Sequence, residues 1–184
     1  MPRRFNRSSR RAKRTQRRGG DPGWQRYRMT QKLVSIGDDY DVENAAGERA
    51  FTIDGKALRI RDTLKMTDVE TGDEYRIKER VARLMDTMTI HKNGQRAAAV
   101  KKAMVTPVRD RFTVLIPGAS NLKVKGNVLA HEYQVSRDGE RVAVVSKKWF
   151  RVRDSYGVEV APGMDAGLVI AITVALDTMA HPSR

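Results

Sequence analysis

No cysteine occurs among the 184 residues. That absence excludes disulfides, thiolate metal sites and cysteine nucleophiles together, and it fits a reducing interior. Histidine is nearly as scarce. His91, His131 and His181 lie far apart with no short ligand spacing, so no metal centre and no cofactor is expected. The catalytic signatures are missing as well. There is no G-x-S-x-G, no G-x-x-x-x-G-K-[ST] and no dinucleotide fingerprint. Ser120 follows Pro117-Gly118 and reads as loop rather than nucleophile, and Asp38-Asp39 after Gly37 reads as turn chemistry. No carboxylates pair for acid–base work. Catalysis is therefore not expected, and a small hydrolase with a dispersed site is the remaining enzyme reading. No apolar stretch follows the basic N-terminus, which argues against a secretory signal.

Acidic residues are also unevenly missing. The formal net charge is +14. Residues 1–28 hold eleven Lys/Arg against one acid, Asp21, while the rest holds 25 basic and 21 acidic residues. Residues 1–23 are Arg-rich and low in apolar side chains, so they cannot bury enough surface to offset their ordering entropy. They are expected to be a disordered tail ending in the Gly19–Gly23 linker. Residues 24–181 would form one domain, and 182–184 a short C-terminal tail. Arg3, Arg4, Arg7, Arg10, Arg11, Lys13, Arg14, Arg17 and Arg18 could neutralise nucleic-acid phosphates. They would also be drawn, as a less favoured reading, to an anionic membrane, or be a solvated tail with no dedicated partner.

The domain reads as strands. Asp54-Gly55, Asn93-Gly94 and Asp138-Gly139 each separate β-forming runs, as tight hairpin turns require. The stretch 69–75 is a weaker fourth turn. Alternation supports antiparallel sheet with one wet face. Leu58 and Ile60 oppose Arg59 and Arg61, Tyr75 and Ile77 oppose Arg76 and Lys78, and Leu122 and Val124 oppose Lys123 and Lys125. A faint repeat links Tyr40-x-Val42 and Gly47-Glu48-Arg49 to Tyr133-x-Val135 and Gly139-Glu140-Arg141, which duplication or chance would explain.

The run "DAGLVIAITVALD" (165–177) is too short for a membrane span. To Met179 it would extend about 21 Å as a helix, against about 20 residues for a bilayer core. Five β-branched residues favour strand. Length, four alanines, Asp165 as N-cap and the stop at Pro182 favour helix. Apolar all round, such a helix must be enclosed on most sides. Burying Leu168, Val169, Ile170, Ile172, Val174, Leu176 and Met179 would contribute on the order of 10–20 kcal/mol gross. The expected architecture is mainly β: a closed or nearly closed antiparallel barrel with a central hydrophobic C-terminal helix. Asp177 would sit near the helix end and find a local partner, or line a pocket.

The motifs "FTIDGKAL", "MTDVETGDEYRIKER" and "DSYGVEVAPGMDAGLVIAITVALD" resemble the LURP-one-related family of the tubby C-terminal-like fold, itself similar to the phospholipid scramblases. The resemblance covers about residues 27–180. It implies a twelve-stranded barrel around a hydrophobic helix and little about activity. Tubby proteins bind phosphoinositide headgroups, but no headgroup motif matches here residue by residue.

Within the domain, "SKKWFRVRD" (146–154) is the best anion-binding candidate. Strict alternation would place Lys147, Trp149, Arg151 and Arg153 on one outer face and turn Lys148 inward unless a bulge intervenes. An ordinary exposed strand face with one partly buried Trp is the bland alternative. The expected function is non-enzymatic binding of an anionic partner, a phospholipid headgroup or a nucleic acid, helped by the basic tail. The alternative is a scramblase-like lipid-handling protein. The expected location is cytoplasmic, peripheral at the membrane, and the oligomeric state is open.

Overall fold

The computed structural model describes residues 22–31, 40–54, 63–80, 87–102, 111–149 and 155–181. In chain order the strands are β1 (Gln25–Gln31), β2 (Tyr40–Asn44), β3 (Arg49–Asp54), β4 (Thr63–Asp68), β5 (Glu74–Arg80) and β6 (Thr87–Lys92). They continue as β7 (Gln95–Lys102), β8 (Arg111–Leu115), β9 (Leu122–Asn127), β10 (Glu132–Arg137), β11 (Glu140–Ser146) and β12 (Ser155–Val160). A 3₁₀ turn (Lys147–Trp149) follows β11, and the helix α1 (Ala166–Ala180) follows β12. Each strand pairs antiparallel with its sequence neighbour, and β1 pairs with β12 to close the barrel.

Two hairpins form where expected. Asn93-Gly94 joins β6 to β7, and Asp138-Gly139 joins β10 to β11, with all four residues at positive φ. That backbone twist matches the right-handed twist of the strands. Residues 69–73 turn β4 into β5, with Asp68 Oδ1 accepting from the Glu70 and Thr71 amides. Asp54-Gly55 differs. Asp54 pairs with Lys65, so it is not the centre of a two-residue turn. Leu58 and Ile60 lie outside the described residues. The β2–β3, β6–β7 and β10–β11 pairs each carry a register shift next to Val42, Ile90 and Val135. The Tyr40 and Tyr133 stretches thus share a bulged hairpin, a feature the β6–β7 pair also has.

Alternation sorts the walls. Tyr75 and Ile77 point inward while Arg76 and Lys78 are exposed; Leu122 and Val124 point inward while Lys123 and Lys125 are exposed. Those inward side chains meet α1, in which Gly167 and every residue from Val169 to Asp177 are buried. The helix has no wet face because the strands surround it.

The helix N-terminus is locked to β5 and β6. Asp165 Oδ1 accepts from the Leu168 amide at 2.9 Å and from the Tyr75 hydroxyl at 3.1 Å. Its other oxygen accepts from Lys92 Nζ at 2.8 Å, and Lys92 also pairs with Asp73 at 2.9 Å. Burial alone would raise the Asp165 carboxyl, but Lys92, the Leu168 amide and Tyr75 outweigh it and hold it below its ordinary value. Burial pushes the Tyr75 phenol up to about 12. Gly167 lets the ring in: a Cβ there would lie 2.4 Å from the Tyr75 hydroxyl oxygen.

Two outcomes follow. Gly167→Ala gains about 1 kcal/mol of helix propensity but forces the Tyr75 ring aside, at about 1–3 kcal/mol. Chemical denaturation should show the variant no more stable than wild type, and in a Tyr75→Ala background, which removes the ring carbons as well as the hydroxyl, the substitution should no longer cost stability. Because the Asp165 carboxyl is depressed on folding, its contribution is present above its unfolded value near pH 4 and is lost as pH falls through its lower folded value. Asp165→Asn should therefore unfold at a midpoint that varies less over this acid range than wild type does.

Candidate functional site

Strand direction divides the barrel ends. One end carries the turns 45–48, 69–73, 93–94, 116–121 and 138–139, together with the entry to α1. The other carries the turn 128–131 and the 3₁₀ turn Lys147–Trp149, together with the C-terminus of α1. Two features of chemical interest lie at this second end.

The first is buried. Asp177, in the last turns of α1, meets the 128–131 turn. His131 Nε2 lies 2.7 Å from Asp177 Oδ1, and His181 Nδ1 lies 3.2 Å from the same oxygen. His131 stacks on Tyr156 with ring centroids 4.1 Å apart, and on His181 at 5.6 Å with planes inclined by 11°. His131 adopts φ 51°, held by its amide donating to Val128 O at 2.9 Å. A left-handed non-glycine residue beside a polar cluster is backbone strain of the kind found at sites. Its Nδ1 is buried without a hydrogen-bond partner among the described residues. One helical turn earlier, Thr173 donates to Val169 O at 3.0 Å. Burial, offset in part by a hydrogen bond with Thr173 and reinforced by Asp177, pushes the Tyr133 phenol above its usual range.

The second feature is exposed. β11 ends at Ser146 because Glu132 captures the chain there. Glu132 Oε1 accepts from Ser146 Oγ at 2.9 Å and from the Lys147 amide at 3.1 Å, and Oε2 pairs with Lys148 at 3.4 Å. The segment therefore leaves the sheet as a 3₁₀ turn, which corrects the expected strand alternation. Lys147, Lys148 and Trp149 are all exposed, so Lys148 does not turn inward. Arg151 and Arg153 lie outside the described residues, as do Arg3, Arg4, Arg7, Arg10, Arg11, Lys13, Arg14, Arg17 and Arg18. Trp149 borders a groove of about 310 Å³ on the outer wall, lined also by Lys125, Glu132, Gln134, Val144 and Ser146. Leu129, on the neighbouring 128–131 turn, is 53% exposed and Trp149 is 39% exposed.

The wall behind this rim is basic. The described residues of 95–149 hold ten basic and three acidic side chains, whereas those of 22–92 hold eight basic and nine acidic. In β1–β6, Arg26, Arg28, Arg49, Lys65, Arg76 and Lys92 each pair with a carboxylate. Among the described residues, no carboxylate lies in ion-pair reach of Lys101, Lys123, Lys125 or Lys147. Sequence spacing gave no reason to join His131 to His181. The available signal was Asp177 itself, a carboxylate in an enclosed helix that must find donors.

The LURP-one-related family model matches residues 25–177. The chain belongs to that family. Bacillus subtilis (strain 168) YxjI, described as uncharacterized, is 28% identical over 154 residues, covering 83% of this chain and 92% of that protein. An Arabidopsis thaliana protein of known X-ray structure superposes with a TM-score of 0.62 at 17% identity, over 85% of this chain and 92% of that one. This likeness extends the LURP-one-related barrel to a plant protein as a shared fold. Among the described residues, no helix is long and apolar enough to cross a membrane.

Asp177→Ala would strand the buried His131 ring nitrogen, at about 1–3 kcal/mol. Urea denaturation should show that loss, and Asp177→Asn, which keeps an acceptor, should lose less.

Proposed function

We propose that this barrel is a non-catalytic binding protein that docks peripherally on an anionic phospholipid surface, with the arginine-rich N-terminal segment adding long-range attraction. One observation carries the reading. Two of the three exposed large hydrophobics among the described residues, Leu129 and Trp149, sit on adjacent connections at one barrel end, beside Lys147 and Lys148. An indole and an isobutyl group projecting among ammonium groups suit the headgroup boundary, where amphipathic rings settle and apolar tips enter the acyl edge. Each nearby cation adds about 1 kcal/mol of attraction to an anionic leaflet.

This rim favours lipid over nucleic acid, which binds non-specifically through phosphate contacts and gains nothing from an exposed leucine. The scramblase-like alternative requires α1 to leave the barrel. Val169, Ile170, Ile172, Val174 and Leu176 are each at most 2% exposed. Withdrawal would open the core at about 1.5–3 kcal/mol per large side chain. A peripheral cytoplasmic position follows from the same reading.

Flotation with phosphatidylserine-rich and phosphatidylcholine vesicles tests it. The full chain should float with the anionic vesicles alone. Leu129→Asp combined with Trp149→Ala should weaken binding about tenfold, equivalent to about 1.4 kcal/mol. Equal binding to duplex DNA that is unmoved by the double variant, and abolished when the tail cations become glutamine, would replace this reading with a nucleic-acid one.

A further inference from the structure

We infer that His131, Asp177 and His181 form a binding site for a divalent transition-metal ion of the zinc class, at the barrel end where α1 terminates. The donor atoms of these three residues all lie within 4.8 Å of one another. They come from two distant parts of the chain, the 128–131 turn and the end of the helix. The donor set is two imidazoles and a carboxylate, which suits Zn²⁺, Co²⁺ or Ni²⁺ rather than Ca²⁺ or Mg²⁺.

Geometry supports the assignment. With metal–nitrogen and metal–oxygen distances near 2.0–2.2 Å, tetrahedral ligand atoms stand about 3.4 Å apart. Here both imidazoles approach a single carboxylate oxygen, at 2.7 and 3.2 Å. An ion entering between them needs the close imidazole–carboxylate contacts to open slightly and the two imidazole nitrogens, within 4.8 Å of each other, to settle near that spacing. His131 and Asp177 are buried and already fixed, the former by its turn and by Tyr156. The His181 side chain is 47% exposed at the helix end, so its ring can turn until its lone pair faces the ion. The helix C-terminus places its carbonyl dipoles toward the same point, and these favour a cation.

The ion would tie the last turn of α1 to the β9–β10 connection. Three protein donors leave a coordination position for water or an anionic oxygen donor. The inference stands apart from lipid docking, because it uses neither Leu129, Trp149 nor the lysines.

Titration calorimetry of the full chain with ZnCl₂ in a non-coordinating buffer tests it. Residues 1–23 contain no histidine or cysteine, so the basic segment offers no competing nitrogen or sulfur site of this kind. Wild type should bind one ion per chain. His181→Ala, at a half-exposed side chain, should weaken binding at least about tenfold, as should Asp177→Asn. His91→Ala, on β6, should leave it unchanged. Co²⁺ should give visible d–d absorption in wild type that is lost in His181→Ala. No saturable binding, or an affinity and a Co²⁺ spectrum indifferent to His181→Ala, would overturn the assignment.

Discussion

A helix that is apolar on every face has no side it can turn to water, and a barrel of twelve strands is too wide for its own side chains to fill. Each of these parts solves the other's problem. The strands direct Met29, Val42, Leu64, Ile77, Val100, Phe112 and Val124 inward, and α1 supplies the Ile170–Leu176 surface that they pack against. Closure through β1 and β12 then removes the sheet edges that an open sheet of this length would expose.

The two carboxylates of the helix segment stand where it enters and leaves the barrel. Asp165 caps the entry and is answered by Lys92 and Tyr75 from neighbouring strands. Asp177 sits near the exit and is answered by His131 and His181. The two carboxylates differ in consequence. At the entry the partners are a fixed cation and a phenol, which makes a lock. At the exit they are two imidazoles, whose lone pairs give the cluster the means to hold an ion.

The outer surface divides along a different line. Carboxylates pair with six of the eight described cations of β1–β6, while the wall from β7 to β11 carries an excess of positive charge, and the exposed leucine and tryptophan stand at one end of that wall. The buried carboxylate–imidazole cluster and the exposed leucine and tryptophan thereby share one barrel end. The other end holds the short turns on which strand pairing depends.

The sequence by itself determined the local choices. Asn93-Gly94 and Asp138-Gly139 could only turn tightly, Tyr75 and Ile77 had to face away from Arg76 and Lys78, and a run as apolar as 166–176 had to be enclosed. Backbone sterics and burial act over a few residues, so they are written in short stretches. The 3₁₀ turn at Lys147 was not legible, because it depends on Glu132, whose carboxylate arrives from the adjacent strand. The meeting of His131 with His181 was not legible either. Nothing along the chain relates the turn at His131 to Asp177, 46 positions further on near the helix end. Only closing the barrel around the helix brings those ends together, since long-range proximity is decided by how the strands are registered and not by any residue alone.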